Sequence, residues 1–392
     1  MTVAPGHRPR KTTVFIVFNL VLALTTLAAG SGLLYANWKL GSRKVIAIER
    51  PVVEQEEGGI DLTLEDDSPR NYLVTGADNY TCDDLNTKGI GKRDYMGARS
   101  DSLLVIRVDP RTNAVAMLSF PRDLWVRIGN GTSKGRINGA YDSKNPNLLI
   151  RTIKTNFGID IDHYVSVDLC AFKHIVDAVG GVRVNFRFKA RDNSSLFQVD
   201  QQNVCLLLDG ETALRYVRSR KYQWFNPATG AWESDGGADY GRIARQQDFI
   251  KRVMKKALAE ARTNPRTAAN ILSAGLNNVI TDDRMTPMML LELADAMRDY
   301  DANATGSYTF PGTGKSVDNR SVIEPSFDSP TAKAIMAVFQ GKASVTVPTG
   351  TGTTVPGSTT ATTKPTGSTL PIVTIEQKER GIVPPNDPNC QY

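Results

Sequence analysis

Between residues 71 and 340, short apolar runs alternate with segments whose apolar positions recur every three or four residues. Tyr72–Thr75 reads as a strand ending at Gly76. Leu103–Ile106 and Val115–Leu118 flank Asp109-Pro110-Arg111-Thr112-Asn113, a turn-rich connection suited to an antiparallel hairpin. Asn147–Phe157 reads as a helix and Tyr164–Val167 as a strand. Leu169–Val179 predicts a helix stopped by Gly180-Gly181, the pair a left-handed C-cap requires, before a strand at Val182–Phe186. Asp209 caps a short helix in GETALRYV. From about Arg242 to Ala261, the residues Ile243, Ile250, Val253, Met254, Ala257, Leu258 and Ala261 share one face of a longer helix. Helices near 286–299 and 329–340 close the body. Strands interleaved with helices predict an α/β fold over residues 71–342, a three-layer α/β/α sandwich with a mixed central sheet.

Outside the body the pattern changes. After His7-Arg8-Pro9-Arg10-Lys11, no charged residue appears before Lys39. At about 1.5 Å per residue, roughly 20 apolar residues span a bilayer core, so residues 12–38 are expected to form a transmembrane anchor. The preceding basic residues place 1–11 in the cytoplasm and the body outside the cell membrane. The small residues Ala28–Ser31 keep a cleaved signal peptide open as the alternative. Residues 39–70 read as a polar, acidic juxtamembrane linker. Residues 343–392 form a Thr/Pro/Gly-rich tail expected to be disordered, carrying Cys390 near its end. No internal repeat is visible.

Composition adds limits. The formal charge of +6 is mild and not gathered in one block, which gives no sign of nucleic-acid binding. Of the three histidines, His7 falls on the cytoplasmic side, and His163 and His174 read as ordinary fold positions. Neither a Gly-x-Ser-x-Gly elbow nor a P-loop is present, which weakens serine-hydrolase and nucleoside-triphosphatase readings. The cysteines Cys82, Cys170, Cys205 and Cys390 lack metal-site spacing, and in an exported body they suit disulfides. The expected pairs are Cys82–Cys390 and Cys170–Cys205, the first stapling the tail to the body.

The charged residues that remain gather at element ends. Asp78 follows the first strand, Asp101 opens the second, and Arg122 and Asp123 end the third. Strand ends of an α/β sheet are where ligands commonly bind. Two carboxylates there can share one Mg²⁺, a hard ion held by carboxylates and phosphate oxygens, although each singly also reads as a cap or turn residue. In Arg218-Ser219-Arg220 an extended backbone turns both guanidinium groups to one face. Arg242, Arg245 and Gln246 share the first turns of the long helix, with Asp239 and Asp248 the nearest acids. Arginine at a helix N-terminus opposes the macrodipole, a mismatch an anion bound between them would relieve. Arginine also suits multidentate phosphate recognition.

Those clusters, in this order behind an N-terminal apolar helix, resemble the LytR-CpsA-Psr family. The matching stretches are NYLVTGAD (71–78), RSDSLLVIRVDPRTNAVAMLSFPRDLWV (99–126), GRINGAY (135–141), HYVSVDLCAFKHIVDAVGGVRVN (163–185), LDGETALRYVRSR (208–220) and DYGRIARQQDFI (239–250). The resemblance implies a membrane-anchored phosphotransferase. Such an enzyme moves a glycopolymer, such as a teichoic acid or an arabinogalactan, from a polyprenyl-diphosphate carrier to peptidoglycan or another envelope acceptor. It also implies a long apolar cavity for the lipid tail. By position, Asp78 and Asp101 would be Mg²⁺ ligands, and Arg99, Arg122, Arg218, Arg220, Arg242, Arg245 and Gln246 would line the pyrophosphate site. Asp101 and Asp123 are the candidate bases for the attacking hydroxyl, beside Arg122 as a catalytic residue. Two departures stand out. Tyr80 sits where the family often has Arg, so that one phosphate contact is either missing or supplied by Arg93. The segment between Arg220 and Asp239 also looks long, and its Trp224, Phe225 and Trp232 read either as a sugar-stacking lid or as a surface loop packing its own aromatics. The rival readings are a non-catalytic polyprenyl-phosphate-binding protein and a membrane-bound transcriptional regulator.

Overall fold

A set of strands covered on both faces organises the molecule. The computed structural model describes residues 44–49, 68–78, 100–112, 114–286, 289, 305–345, 370–373, 375 and 381–390, all of them in one unit, Lys44–Tyr392. The predicted anchor over 12–38 and the helix near 286–299 lie outside the described residues, apart from Thr286 and Met289. No helix among the described residues is long and apolar enough to cross a membrane.

In chain order the first strands are β1 (Lys44–Ile46), β2 (Arg70–Ala77), β3 (Ser100–Asp109), β4 (Ala114–Phe120), β5 (Trp125–Arg127) and β6 (Lys134–Arg136). Next come β7 (His163–Val167), β8 (Val182–Phe186), β9 (Ala190–Asp192), β10 (Phe197–Val199) and β11 (Val204–Leu208). Then come β12 (Gln223–Asn226), β13 (Ala231–Ser234), β14 (Val279–Asp282), β15 (Gly306–Thr309), β16 (Gly312–Val317) and β17 (Arg320–Pro325). Last is a short parallel pair, β18 (Ser344–Val345) and β19 (Ile372–Val373), both within the tail expected as disordered. The helices are α1 (Asn147–Phe157), α2 (Leu169–Ala178), α3 (Gly210–Arg218), α4 (Asp239–Thr263), α5 (Pro265–Asn278) and α6 (Pro330–Phe339).

Seven strands form the central sheet in the order β1-β14-β7-β2-β3-β4-β15. It is mixed, because β2 runs parallel to β7 and antiparallel to β3, and β4 runs antiparallel to β3 and parallel to β15. Alternate residues of its central strands serve two different layers. Leu73, Val105, Leu118 and Phe120 point to one face, where α1 and α6 close a continuous core. Phe157 from α1 sits between Phe120 and Phe310, with ring centroids 4.7 Å from each. Val74, Leu104 and Ile106 point to the other face, towards α2, α3 and α4. The three layers follow from that alternation.

Several boundaries differ from expectation. The region expected as a linker already contributes β1, because Ile46 and Ile48 alternate inward and Ile48 joins the core. The tail expected as disordered contains a docked end: Ile382 packs into a second core beneath α3 and α4, and Cys390 is buried. The disulfide pairing also differs. Cys390 is bonded to Cys205, because β11 lies on β8 with Cys205 opposite Asn185, whose side chain donates to Asp387 at 2.9 Å. Cys170, within α2, is in a disulfide too, and Cys82, the one remaining cysteine of the four, lies outside the described residues.

Candidate functional site

Strand register builds the site. Gly76 of β2 is level with Val167 of β7 and Ser102 of β3, and Leu103 is level with Phe120 of β4. The end of β2, the start of β3 and the end of β4 therefore meet along one sheet edge. Asp78, Asp101 and Arg122, far apart in sequence, stand there in a row. Arg218 ends α3, and Ser219 turns the chain into extended conformation, so that both Arg218 and Arg220 reach the same cavity mouth. Arg242 and Gln246 reach it from α4.

Asp101 is the hub. Arg122 Nη1 donates to its Oδ1 at 2.8 Å, Arg220 Nη2 lies 2.7 Å from its Oδ2, and Arg242 Nη2 donates to its carbonyl at 2.8 Å. Burial opposes ionisation of this carboxyl, but Arg220, Arg122 and Arg242 together outweigh it and hold Asp101 below the ordinary carboxylate range. Burial likewise pulls the Arg242 guanidinium down to about 10, against the support of Asp239 and Asp101. Its side chain is only 3% exposed, and Asp239 Oδ1 accepts from Arg242 Nη2 at 2.8 Å. Asp78 pairs with Arg218 at 3.3 Å, and Asp123 lies between Arg122 Nε at 3.5 Å and Arg136 Nε at 3.2 Å. Arg136 is not legible as a site residue, since nothing in its local sequence signals that it meets Asp123, whereas Asp239 pairs with Arg242 one helical turn away.

Behind this charged mouth lies a cavity of about 450 Å³. Its walls are Leu104 and Ile106 from the sheet, Phe172 and Ile175 from α2, Leu214 from α3, and Ile243, Phe249, Val253 and Met254 from α4. One side of one space is thus ionic and most of the remaining wall apolar. Gln246 joins the two parts: its Nε2 donates to the Val217 carbonyl at 3.0 Å, and its Oε1 accepts from Ser102 Oγ at 3.1 Å.

Arg245 departs from the expected arrangement. It is wholly buried and does not line the cavity. It pairs with Asp235, donates from Nη2 to the Ser219 carbonyl at 2.7 Å, and lies over the Tyr222 ring at 4.4 Å. Arg99, Tyr80 and Arg93 are outside the described residues. His163 is buried beside Asp282, with Nδ1 3.1 Å from Oδ2. The long segment before α4 is a hairpin, β12–β13, added to β9 and β10 in a four-stranded sheet. Phe225 and Trp232 pair across it at 5.7 Å, with Arg191 over Trp232 at 4.1 Å, while Trp224 packs inward on Phe188.

The family model described as the LytR_cpsA_psr family matches residues 38–334. The chain belongs to this family. A LytR-CpsA-Psr relative from Halalkalibacterium halodurans, named polyisoprenyl-teichoic acid–peptidoglycan teichoic acid transferase TagU, is 31% identical over 240 residues, 61% of this chain and 68% of the relative. A LytR-Csp2A-Psr enzyme from Actinomyces oris superposes with a TM-score of 0.57 at 20% identity, over 76% of this chain and 96% of that one. TagV of Bacillus subtilis gives 0.55 at 25% identity, over 71% and 98%. The mixed α/β fold around a central sheet is therefore shared with solved family members, and the chain is an enzyme of this family.

The donor set can be tested for a metal. Among the described residues, the ion pairs at the mouth join five guanidinium groups, of Arg122, Arg136, Arg218, Arg220 and Arg242, to four carboxylates, of Asp78, Asp101, Asp123 and Asp239. The mouth thus carries one surplus positive charge, less than a diphosphate diester needs for neutrality. Asp239 Oδ2 is buried there with no hydrogen-bond partner among the described residues. Hard carboxylate oxygens and a deficit of cationic charge suit Mg²⁺ in kind, with Asp78 and Asp101 as the carboxylates that line the cavity. But Asp101 has a guanidinium against each oxygen, Asp78 pairs with Arg218, and no cluster of three or more metal-ligating side chains is present among the described residues.

Proposed function

We propose that this LytR-CpsA-Psr enzyme transfers a phosphate-linked glycopolymer from a polyprenyl-diphosphate carrier to a hydroxyl of peptidoglycan or another envelope acceptor. One observation carries the reading: a single cavity has an arginine–aspartate mouth and apolar walls, the two halves of a lipid diphosphate. The relative named as a teichoic acid transferase acting between a polyisoprenyl carrier and peptidoglycan supports the same chemistry. The membrane anchor over 12–38, with the body outside the cell membrane, completes the proposal. β1 begins at Lys44, level with Thr75 across β14 and β7, so the chain joins the fold at the mouth edge. That entry point supports a body tethered beside a carrier confined to the bilayer.

In the transfer, the acceptor oxygen forms a bond to the sugar-linked phosphorus. The bridging P–O bond breaks, and its electron pair leaves with polyprenyl monophosphate. Charge spreads over the phosphoryl oxygens as this happens, and fixed cations placed around them lower the barrier. Arg122, Arg218, Arg220 and Arg242 supply those cations. Mg²⁺, held by Asp78 and Asp101, would add charge neutralisation at the same oxygens. Asp101 has guanidinium groups against both oxygens and a weakened proton affinity, so its part is to aim Arg122 and Arg220. Asp123, beside the mouth between Arg122 and Arg136, is the carboxylate assigned to take the hydroxyl proton.

The test is purified protein with a labelled lipid-diphosphate sugar. Release of polyprenyl monophosphate that requires Mg²⁺ and is lost in Arg122→Ala supports the reading. No release, or release unchanged in that variant, contradicts it.

A further inference from the structure

The docked end of the tail lies against the helix that carries the cationic mouth. Gly381 takes φ +95°, and a Cβ there would lie 2.4 Å from the Gly241 Cα. Gly237 crosses at the same point, where a Cβ would lie 3.0 Å from the Gly381 Cα. Only backbones without side chains can pass so closely. From that crossing the segment follows one face of α4. Arg245 Nη1 donates to the Ile382 carbonyl at 3.5 Å, and Arg252 Nη2 donates to the Pro384 carbonyl at 3.1 Å. Asp387 and Cys390 then fasten it to β8 and β11.

The start of α4 needs such support. Ala238, its N-cap, has φ +45° and no side-chain cap bond. A non-glycine residue in that region persists only where its surroundings over-determine it. The surroundings here are Asp235, Arg245 and the tail segment. Arg242 and Gln246, which reach the mouth, lie one residue further along the helix from Gly241 and Arg245, which meet the tail.

We propose that Gly381–Cys390 is a strap that positions the diphosphate-binding turn of α4, with Arg245 as the positioning residue that joins strap to helix. The inference rests on the diphosphate reading above. It makes the extreme C-terminus, more than a hundred residues from any arginine of the mouth, part of head-group recognition. It also gives Arg245 a task away from the ligand.

The test separates head from tail. Full-length protein is titrated with farnesyl diphosphate and with farnesol, which shares the isoprenoid and lacks the diphosphate. Gly381→Ala drives a methyl group into Gly241 while leaving the disulfide, and the double variant Cys205→Ser/Cys390→Ser unfastens the far end without leaving a free thiol. Both are expected to lose about tenfold in farnesyl diphosphate affinity, the scale of one charge-assisted hydrogen bond, and to keep wild-type affinity for farnesol. Gly314→Ala, at a site with open space, is the control and should match wild type. If the wild type binds farnesyl diphosphate and the strap variants bind it equally well, the strap inference fails alone. It also fails alone if they lose both ligands to the same degree, which is general unfolding. A wild type that does not bind farnesyl diphosphate overturns the diphosphate reading itself.

Discussion

The two faces of the central sheet are built from the same strands, yet one is filled and the other hollow. On the filled face Phe120, Phe157, Phe310 and Phe339 are all at most 2% exposed and interlock with α1 and α6. On the opposite face the neighbouring residues Val74, Leu104 and Ile106 look across a cavity to α2 and α4. Natural interiors are close-packed and tolerate few voids larger than a water molecule. A void of about 450 Å³ beside a solid core is therefore a division of labour, in which the filled face holds the fold and the hollow face gives up packing for a ligand. Of the charged residues at the mouth, Asp78, Asp101, Arg218, Arg220 and Arg242 line the hollow side.

Breaking the filled face should have the largest effect. Phe157→Ala removes the ring between Phe120 and Phe310 and is expected to destabilise the protein by about 3–5 kcal/mol in denaturant unfolding. A loss under about 1 kcal/mol would mean that this face is less tightly packed than its ring contacts indicate. Next in size, Arg220→Ala at the mouth is expected to slow transfer by about 10²–10³-fold, comparable to removing one preorganised charge-stabilising donor. Its unfolding midpoint should shift far less than that of Phe157→Ala, because the Arg220 side chain is one-third exposed.

Filling the hollow sharpens the contrast. Val253→Phe adds volume where space exists, so stability should change by less than about 1 kcal/mol. Affinity for an isoprenoid diphosphate should fall at least about tenfold as the tail loses room. A strong destabilisation without loss of affinity would show that the ligand lies elsewhere. The smallest effect is electrostatic. Asp101 has a folded pKa below its unfolded value of about 3.9, so its contribution to stability is present above that value and is lost as pH falls through the folded one. The stability gap between wild type and Asp101→Asn should be widest near neutral pH and shrink below about pH 4. A gap constant across that range would mean that the ion pairs of Asp101 contribute nothing to stability.

The sheet is legible in the sequence because β2, β3 and β4 contain short apolar runs bounded by turn residues, the pattern of strands covered on both faces. α1 runs from Asn147 to Phe157 as its pattern predicts. The mouth was half legible. Asp78, Asp101 and Arg122 follow from strand ends, and Arg218 and Arg220 from their spacing, although Arg218 closes α3 and it is Ser219 after it that is extended. Arg245 does not, because adjacent helix positions differ by about 100°. Whether 245 or 246 faces the cavity depends on Asp235, delivered by the β12–β13 hairpin, which has no periodicity to announce it. The disulfide partner of Cys390 was equally hidden, since four cysteines allow three connectivities and only the docking of Ile382 and Asp387 selects Cys205.

On the proposed reading the hollow face holds the lipid and the arginines hold its diphosphate. A crystal structure of the protein with farnesyl diphosphate tests both halves at once. The isoprenoid is expected between Ile106, Phe172, Phe249 and Met254, with the diphosphate against Arg122, Arg218 and Arg220. An empty cavity with the ligand bound elsewhere, or a diphosphate held away from these arginines, would refute it.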